Sequence, residues 1–520
     1  MKDVVVPKGW SVAPVMNIAN ALGGGTPPKS DPSYWTDGSI PWVSPKDMKV
    51  FLVDATEDAV TTKALDRLTL IPKNSVLVVV RSGILARTLP VAINKAPVTT
   101  NQDMRAFVPA NGVNSRFLAW QLIANEREIL DRCSKDGTTV ASIEGPALAA
   151  YPLLVAPSKE QARIVEKLEE LLSDLDAGVA ELNAAQRKLA QYRQSLLKAA
   201  VEGALTADWR AARARSGESR ETGANLRQRI LTERRTRWEA KKLAKYAEQG
   251  KTPPKGWQAK YPEPVAPNTD GLPLLPTGWT WASVEQIASD DAYSLAIGPF
   301  GSNLVVSDYR SSGVPLIFVR NIRSKVFHET KYVTKEKAAE LRAHRVDSGD
   351  VLVTKMGEPP GDAAVYPAGR PPAIITADCI KIRPLQGWIA AEYLCAAINS
   401  PIGVYQIKPM TQGVAQKKVS LGRFSTFAVP LPSIEEQSQI VASLDVALAS
   451  IEQQERAIHH GIALAEAQRK NILKAAFAGQ LVPQNPNDEP AGALLERIRA
   501  ERASQAGTAT PRGRKTRTTV

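Results

Sequence analysis

Cysteine and histidine are scarce in this sequence of 520 residues: three cysteines, Cys133, Cys379 and Cys395, and four histidines, His328, His344, His459 and His460. Three scattered thiols cannot build a disulfide framework or a thiolate metal cage, and they suit a reducing cytoplasm. The histidines include no pair at metal-ligand spacing with a third ligand nearby, which argues against zinc hydrolysis, zinc fingers and any metal site. No apolar stretch approaches the roughly 20 residues of a membrane helix, and the opening MKDVVVPKGW lacks a run of signal-peptide length. Secretion and membrane spanning are therefore not expected, and the expected location is cytoplasmic.

Catalytic signatures are also missing: no Walker pair, HExxH, GxSxG or clustered carboxylate set occurs. The segment GGGTPPKS, residues 23–30, superficially resembles a phosphate loop. Pro28, however, stands where that loop places a glycine whose N–H faces the phosphate, and proline has none. PFGSN around Phe300 is a poor methyl-donor site, and GEPPGD, residues 357–362, lacks the Asn or Asp that precedes the paired prolines of an adenine methyltransferase. No catalytic centre is expected.

What the sequence does have is positive charge and a repeat. Sixty-six Lys and Arg against 53 Asp and Glu leave +13, which favours a polyanionic partner such as nucleic acid or an anionic membrane surface. Its length, at roughly 150 residues per domain, allows three or four domains. Laid against itself at a shift of about 270, the chain matches in order. Pro7, Gly9 and Trp10 recur as Pro276, Gly278 and Trp279; Ile40, Pro41, Trp42 and Val43 are echoed in residues 314–319. The β-branched run 75–80, ending at Arg81, matches 349–354, followed by Lys355, and both read as buried strands leading to a basic loop. Trp10, Trp42 and Trp279 read as core rather than as base-stacking residues.

The strongest match joins PSKEQARIVEKLEELL to PSIEEQSQIVASLDVAL, and SLLKAAVEGALT to NILKAAFAGQLV; the shift from Gln161 to Gln437 is 276 positions. Ser158 with Gln161, and Ser433 with Glu436, have capping-box spacing. Each helix then runs roughly 45 residues to a glycine suited to a left-handed cap, Gly203 or Gly479. Helices of that length need a partner. In the first, Ile164, Leu168, Leu171, Leu175, Gly178, Leu182, Ala185, Leu189, Tyr192 and Leu196 alternate by four and three, a coiled-coil seam. The same register in the second gives Ile440, Leu444, Ala447, Ile451, Gln454, Ile458, Gly461, Ala465, Gln468 and Ile472. The alternative is that each helix packs only on its own globular domain. A third echo, ANLRQRILTER at 224–234 and GALLERIRAER at 492–502, gives each half a helical appendix. The first appendix continues basic and then becomes Pro-rich, as a linker, while Arg512, Arg514, Lys515 and Arg517 mark a disordered basic tail.

Between the strands of each globular half lie loops with basic and amide side chains of the kind that contact phosphates and base edges. In the first half these are Lys29, Lys46, Arg81, Arg87, Asn101, Gln102 and Arg105. In the second they are Arg320, Asn321, Arg323, Lys355, Gln412, Gln416, Lys417 and Lys418. Any single one is more often solvated surface than a base contact; only their recurrence in both halves lifts the set.

The loop GGTP followed by YWTDGSIPWV, the repeat, and the P-S-x-E-Q or P-S-x-x-E-Q openings of long helices ending Leu-Lys-Ala-Ala-x-x-Gly resemble the specificity (S) subunit of type I restriction-modification systems. The resemblance covers residues 7–482. It implies an α+β fold with two globular α/β target-recognition domains, separated by two long spacer helices pairing as an antiparallel coiled coil in an internal two-fold repeat. The corresponding segments are recognition domain 1–156, spacer helix 157–206, basic helix and Pro-rich linker 207–275, recognition domain 276–431, spacer helix 432–482, and appendix with tail 483–520. About 40 paired residues would span about 60 Å, a ruler between two half-sites.

The resemblance also implies double-stranded DNA as ligand, two methyltransferase (M) subunits and motor-nuclease (R) subunits as partners, and no cofactor on this chain. S-adenosylmethionine, ATP and Mg would sit on the partners. The competing readings are a motor-less methyltransferase system and a coiled-coil adaptor that binds proteins.

Overall fold

The computed structural model describes residues 6–135, 140–216, 221–328, 330–412 and 417–507. The chain divides into two compact units, Met1–Asn183 with His459–Val520, and Ala184–Ile458. Each long helix, Ser158–Val201 and Ile434–Phe477, therefore contributes to both.

In the first unit, strand Ser11–Pro14 pairs antiparallel with Pro152–Val155 and closes the domain on itself. A five-stranded sheet runs in the order Ala19–Gly23, Met104–Pro109, Val76–Val79, Val91–Asn94, Leu52–Val53. Val76–Val79 is buried at every position, so a continuous β-branched run rather than an alternating one forms the central strand. A second sheet sets Ile40–Val43 between Asp58–Val60, antiparallel, and Thr99–Thr100, parallel. Helix Ser115–Ala124 covers the first sheet, opened by the Asn114 side chain accepting from the N–H groups of Arg116 and Phe117.

In the second unit, Thr280–Ser283 pairs antiparallel with Ala428–Leu431. One sheet runs Leu295–Ile297, Cys379–Ile382, Val351–Thr354, Ala363–Val365; the other runs Tyr332–Val333, Val314–Ile317, Ala373–Ile375, Arg345–Val346. Val314–Ile317 and Ala373–Ile375 are parallel. Their counterparts in the first unit, Ile40–Val43 and Thr99–Thr100, are parallel as well.

Both long helices are 44 residues and both reach the expected glycine, Gly203 at φ 75° and Gly479 at φ 67°. Their openings differ from the capping-box expectation. Ser158 Oγ donates to the Gly112 carbonyl at 2.6 Å, and the Gln161 amide accepts from Asn114 N at 2.8 Å while donating to the Ala156 carbonyl at 2.8 Å. Ser433 makes half of its box, accepting from Glu436 N at 3.2 Å, but the Glu436 carboxylate turns away to the Trp279 indole at 2.9 Å and the Thr206 hydroxyl at 2.6 Å. Gln161 and Glu436 are both buried, so the polar groups of the domain claim them before the helix N-terminus can.

In the first unit Ile164, Leu168 and Leu172 share a core with Ile472, Leu473, Ala476 and Phe477, Arg469 pairs with Asp176, and a Cβ on Gly461 would lie 3.1 Å from Leu182. In the second, Leu196, Leu197 and Ala200 share a core with Ile440, Leu444 and Ile451, and Arg193 meets Glu455 at 3.0 Å. Ile164, Leu168, Leu196, Ile440, Leu444, Ile451, Ile458 and Ile472 are buried; Leu171, Leu175, Leu182 and Leu189 are half-buried. Tyr192 departs from the expected burial, 55% exposed.

The appendices do not stay with their own halves. Leu226 and Ile230 of helix Gly223–Glu248 enter the core of the second unit, with Gly223 N donating to the Gly278 carbonyl at 2.6 Å. Leu494, Leu495 and Ile498 of helix Ala491–Gly507 enter the core of the first, with Ala491 N donating to Gly9 at 2.8 Å. Each appendix thus completes the globular domain that the other half of the chain begins. The Pro-rich stretch is held rather than free: Ser283 Oγ donates to the Val265 carbonyl at 2.7 Å and Asn268 N to Thr426 at 2.9 Å. The basic tail, with Arg512, Arg514, Lys515 and Arg517, lies outside the described residues. Among the described residues, no helix is long and apolar enough to cross a membrane.

Candidate nucleic-acid interface

Parallel strands leave their C-terminal ends on one edge, and in each unit the loops from that edge carry the basic set. In the first unit, Thr99–Thr100 leads into the turn 101–103. The GGTP loop crosses this turn: Gly25 N donates to the Thr100 carbonyl at 2.9 Å, and a Cβ on Gly24 would collide with the carbonyl oxygens of Thr100 and Asn101. These glycines serve close backbone approach. Thr26 Oγ1 bonds Gln102, Arg105 lies under Gly23, and Arg81 N donates to the Asp103 carbonyl at 3.2 Å. Lys29 is exposed on the crossing loop, and Lys46 is exposed where Ile40–Val43 ends, paired with Glu57 at 3.4 Å.

Arg87 is exposed one turn beyond Arg81, where Thr88 and Leu89 bond Glu126. Asn101 is a correction to the interface set. It is 6% exposed, and its amide is occupied within its own turn, accepting from Asp103 N at 3.0 Å and donating to the Asp103 carboxylate at 3.2 Å.

In the second unit the corresponding edge is more tightly gathered. Gly298 crosses the turn 376–378, where a Cβ would collide with the Thr376 carbonyl. Strand Val351–Thr354 delivers Lys355, whose N–H donates to Asp378 at 2.7 Å and whose ammonium donates to the Ala377 carbonyl at 3.2 Å, 4.3 Å from the centre of the Phe300 ring. Burial pushes the Lys355 ammonium below its usual range, opposed by the Asp378 carboxylate.

Arg323 pairs with Asp362 at 2.7 Å and donates to the Pro359 carbonyl at 2.6 Å, while Lys417 meets Glu358 at 3.1 Å. Lys418 bridges Met356 in a short β pairing. Arg323, Lys355, Lys417 and Lys418 thus converge on the loop 355–362. Arg320 is exposed on the same helix as Arg323, 4.8 Å over the Phe318 ring.

Asn321 is the second correction: 2% exposed, it accepts from Phe318 N at 3.0 Å and donates to the Val326 carbonyl at 2.8 Å, closing its helix. Gln416 and the Gln412 side chain lie outside the described residues.

Two features escaped the loop reading. Ser134 pairs with Ile143 and Ser142 with Arg81, which puts a short arm on the first edge where Thr411–Gln412 pairs with Lys418–Val419 on the second. The 276-position shift, applied to Ser142 and Lys418, marks that equivalence. Phe300, 56% exposed, stands at the second edge, and Val306, 79% exposed, follows it. An exposed aromatic leaves no periodic mark in a sequence.

The chemistry of these edges is ionic and hydrogen-bonding. Among the described residues no group of three or more His, Cys, Asp and Glu could hold a metal. Burial pushes the Cys379 thiol up to about 12, so it is no nucleophile at neutral pH.

Comparison with known proteins agrees with this picture. The type I restriction modification DNA specificity domain matches residues 7–184 and 318–459, more than half of the chain, and the chain belongs to that family. The EcoR124I/EcoR124II specificity subunit of Escherichia coli is 39% identical over 185 residues, 34% of this chain and 46% of that protein, so the chain spans about half the length of this relative. The EcoKI specificity subunit of Escherichia coli K12 is 22% identical over 96% of this chain and 97% of its own. A solved structure concerned with complex assembly and conformational transition of the type I R-M system shares the fold, with a TM-score of 0.62 at 15% identity over 92% of this chain and 99% of that one.

Proposed function

We propose that this chain is the sequence-specific, double-stranded-DNA-binding specificity subunit of a type I restriction-modification complex, reading a bipartite, asymmetric site. The observation that carries this is the recurrence, in both units of a chain of this family, of a basic edge at the ends of two parallel strands. Lys and Arg on each edge supply phosphate contacts, with affinity that falls steeply with salt, and a few bidentate side chains supply base discrimination. The loop sets differ between the units, so the two half-sites differ.

The long helices form an antiparallel coiled-coil spacer with internal two-fold symmetry, a reading supported by the matched core contacts and ion pairs in each unit. Two M subunits dock on this chain and R subunits join them. S-adenosylmethionine, ATP and Mg belong to those partners, adenine methylation and DNA cleavage are theirs, and this chain is a non-catalytic cytoplasmic address reader.

The test is methylation-sensitive long-read sequencing of DNA from cells that express this chain with its neighbouring methyltransferase, against the methyltransferase alone. A split motif methylated on both strands only when this chain is present is the expected result. Absence of a motif, with the methyltransferase folded and bound to this chain, sinks the proposal in favour of a protein-binding adaptor.

A further inference from the structure

Helix Gly223–Glu248 outlasts its docking on the second unit. Leu226 and Ile230 anchor its opening turns in the core, yet the helix continues for about five more turns. The continuation is stapled by aromatics. Trp238 stacks on Trp257 at 5.7 Å and 23°, Tyr261 meets Trp238 edge-on at 5.4 Å, and Tyr246 meets Trp257 at 6.4 Å. Trp257 is buried by this cluster, which holds the returning segment against the helix and makes one ordered arm of residues 234–261. A helix that merely linked two domains would not need a core of its own.

The arm is strongly one-signed: residues 234–260 contain nine Lys and Arg and two Glu. Arg235, Arg237 and Lys241 are neutralised, by Glu239, by Glu233 with Asp290, and by Asp290 again. Lys242 lies over the Trp238 ring at 5.6 Å. Lys245, Lys251, Lys255 and Lys260 are exposed and take part in none of the ion pairs among the described residues. Like charges gathered on a rigid support repel one another, and a polyanion relieves that cost. The position fits as well. Asp290, which holds Arg237 and Lys241 at 3.2 and 3.0 Å, leads into strand Leu295–Ile297, and Gly298 and Phe300 of the recognition edge follow at its other end. That strand spans only about 10 Å.

We propose that this arm is a second, sequence-independent DNA site: its free lysines grip the phosphate backbone of duplex DNA flanking the half-site read by residues 276–431. The inference rests on the DNA-reading role proposed above. The arm contributes affinity and a longer footprint and carries no base specificity.

The test uses the full chain in complex with its methyltransferase and the variant K245Q/K251Q/K255Q/K260Q. Two duplexes carry the same target, one with about 20 base pairs of flank on each side and one with almost none. On the long duplex the variant should bind at least about tenfold more weakly, with a slope of log K against log salt shallower by about 3 to 4, at about 0.9 per phosphate contact. On the short duplex it should match the wild type, and its target sequence should be unchanged.

Equal affinity and slope on the long duplex would overturn the proposal. Equal loss on both duplexes would place the lysines against the target itself, and weakened methyltransferase binding with intact DNA binding would make the arm a protein-docking surface; either overturns it too. A wild-type complex that shows no target preference at all would sink the specificity role instead, and the salt slopes on a long duplex of arbitrary sequence would still decide for or against the arm.

Discussion

The indole N–H of Trp279 donates to Glu436 at 2.9 Å inside the second unit, and the same bond joins Trp10 to Glu160 at 3.0 Å inside the first. Both tie a Pro-x-Gly-Trp turn to the first turn of a long helix. The proline of each turn meets the end of the other helix: a Cβ on Gly203 would lie 2.7 Å from Pro276, and one on Gly479 2.8 Å from Pro7. Each short motif therefore joins one helix's start to the other's finish, which is why it recurs.

Glu436 also pairs with Arg210, which is three-quarters buried. Glu436→Ala should leave the guanidinium and the Trp279 indole without their acceptor and destabilise the second unit by about 3–5 kcal/mol, the usual cost of breaking a buried pair. Urea unfolding of the variant measures this; a loss below about 1 kcal/mol would mean that water replaces the carboxylate.

Glu160 couples the stability of the first unit to pH. Burial pushes its carboxyl above the usual range, against the opposing pull of the Trp10 N–H and the Arg163 cation. The folded state then holds this proton more tightly than the unfolded state. Its contribution is fully present below the unfolded value and is lost as pH rises through the folded one. Glu160→Gln should therefore be at least as stable as wild type at pH 7, with that advantage shrinking toward pH 4. Urea midpoints at the two pH values check it, and a variant weaker than wild type at pH 7 would contradict it.

Gly298→Ala should be severely disruptive, because its Cβ would meet the Thr376 carbonyl, a backbone atom that cannot swing aside. We expect a loss of about 3 kcal/mol or more and a displaced Phe300 loop. Thermal unfolding reads the first; a normal melting temperature would show that the loop can rise off the strand.

Exchanging residues 7–150 for another recognition domain should change one half-site of the methylated motif and leave the other intact. Change in both would defeat the modular reading. Within the second half-site, Lys417→Gln with Lys418→Gln should flatten the salt slope by up to about 2 without altering the motif, at about 0.9 per phosphate.

Four residues inserted near Ala185, about one helical turn and about 6 Å, should alter the number of unspecified base pairs between the half-sites. Sequencing the methylated motif decides; an unchanged gap would remove the ruler from the mechanism.

The parts legible in the sequence are those set by local rules. Gly203 and Gly479 end helices because their φ angles are positive, and Val76–Val79 is a strand because every residue in it is apolar and three are β-branched. Gln161 and Gln437 announce the repeat, and each accepts from the backbone N–H that opens a preceding helix, at Asn114 and Ala390. The capping boxes misled because Gln161 and Glu436 have the right spacing for a local bond but are buried where distant partners compete for them. Asn101 and Asn321 misled in the same way: an amide suited to a base edge is equally suited to closing a turn.

The sequence by itself determined the long helices and their glycine stops, and the basic character of the loops, since each depends on residue type and short spacing. Only the tertiary structure decided that each appendix completes the other half's domain, that Arg323, Lys355, Lys417 and Lys418 meet on one loop, and that the central basic stretch folds on its own aromatic core. Those outcomes turn on contacts between residues far apart in the chain, where many partners of equal hydrophobicity or charge compete and packing selects one.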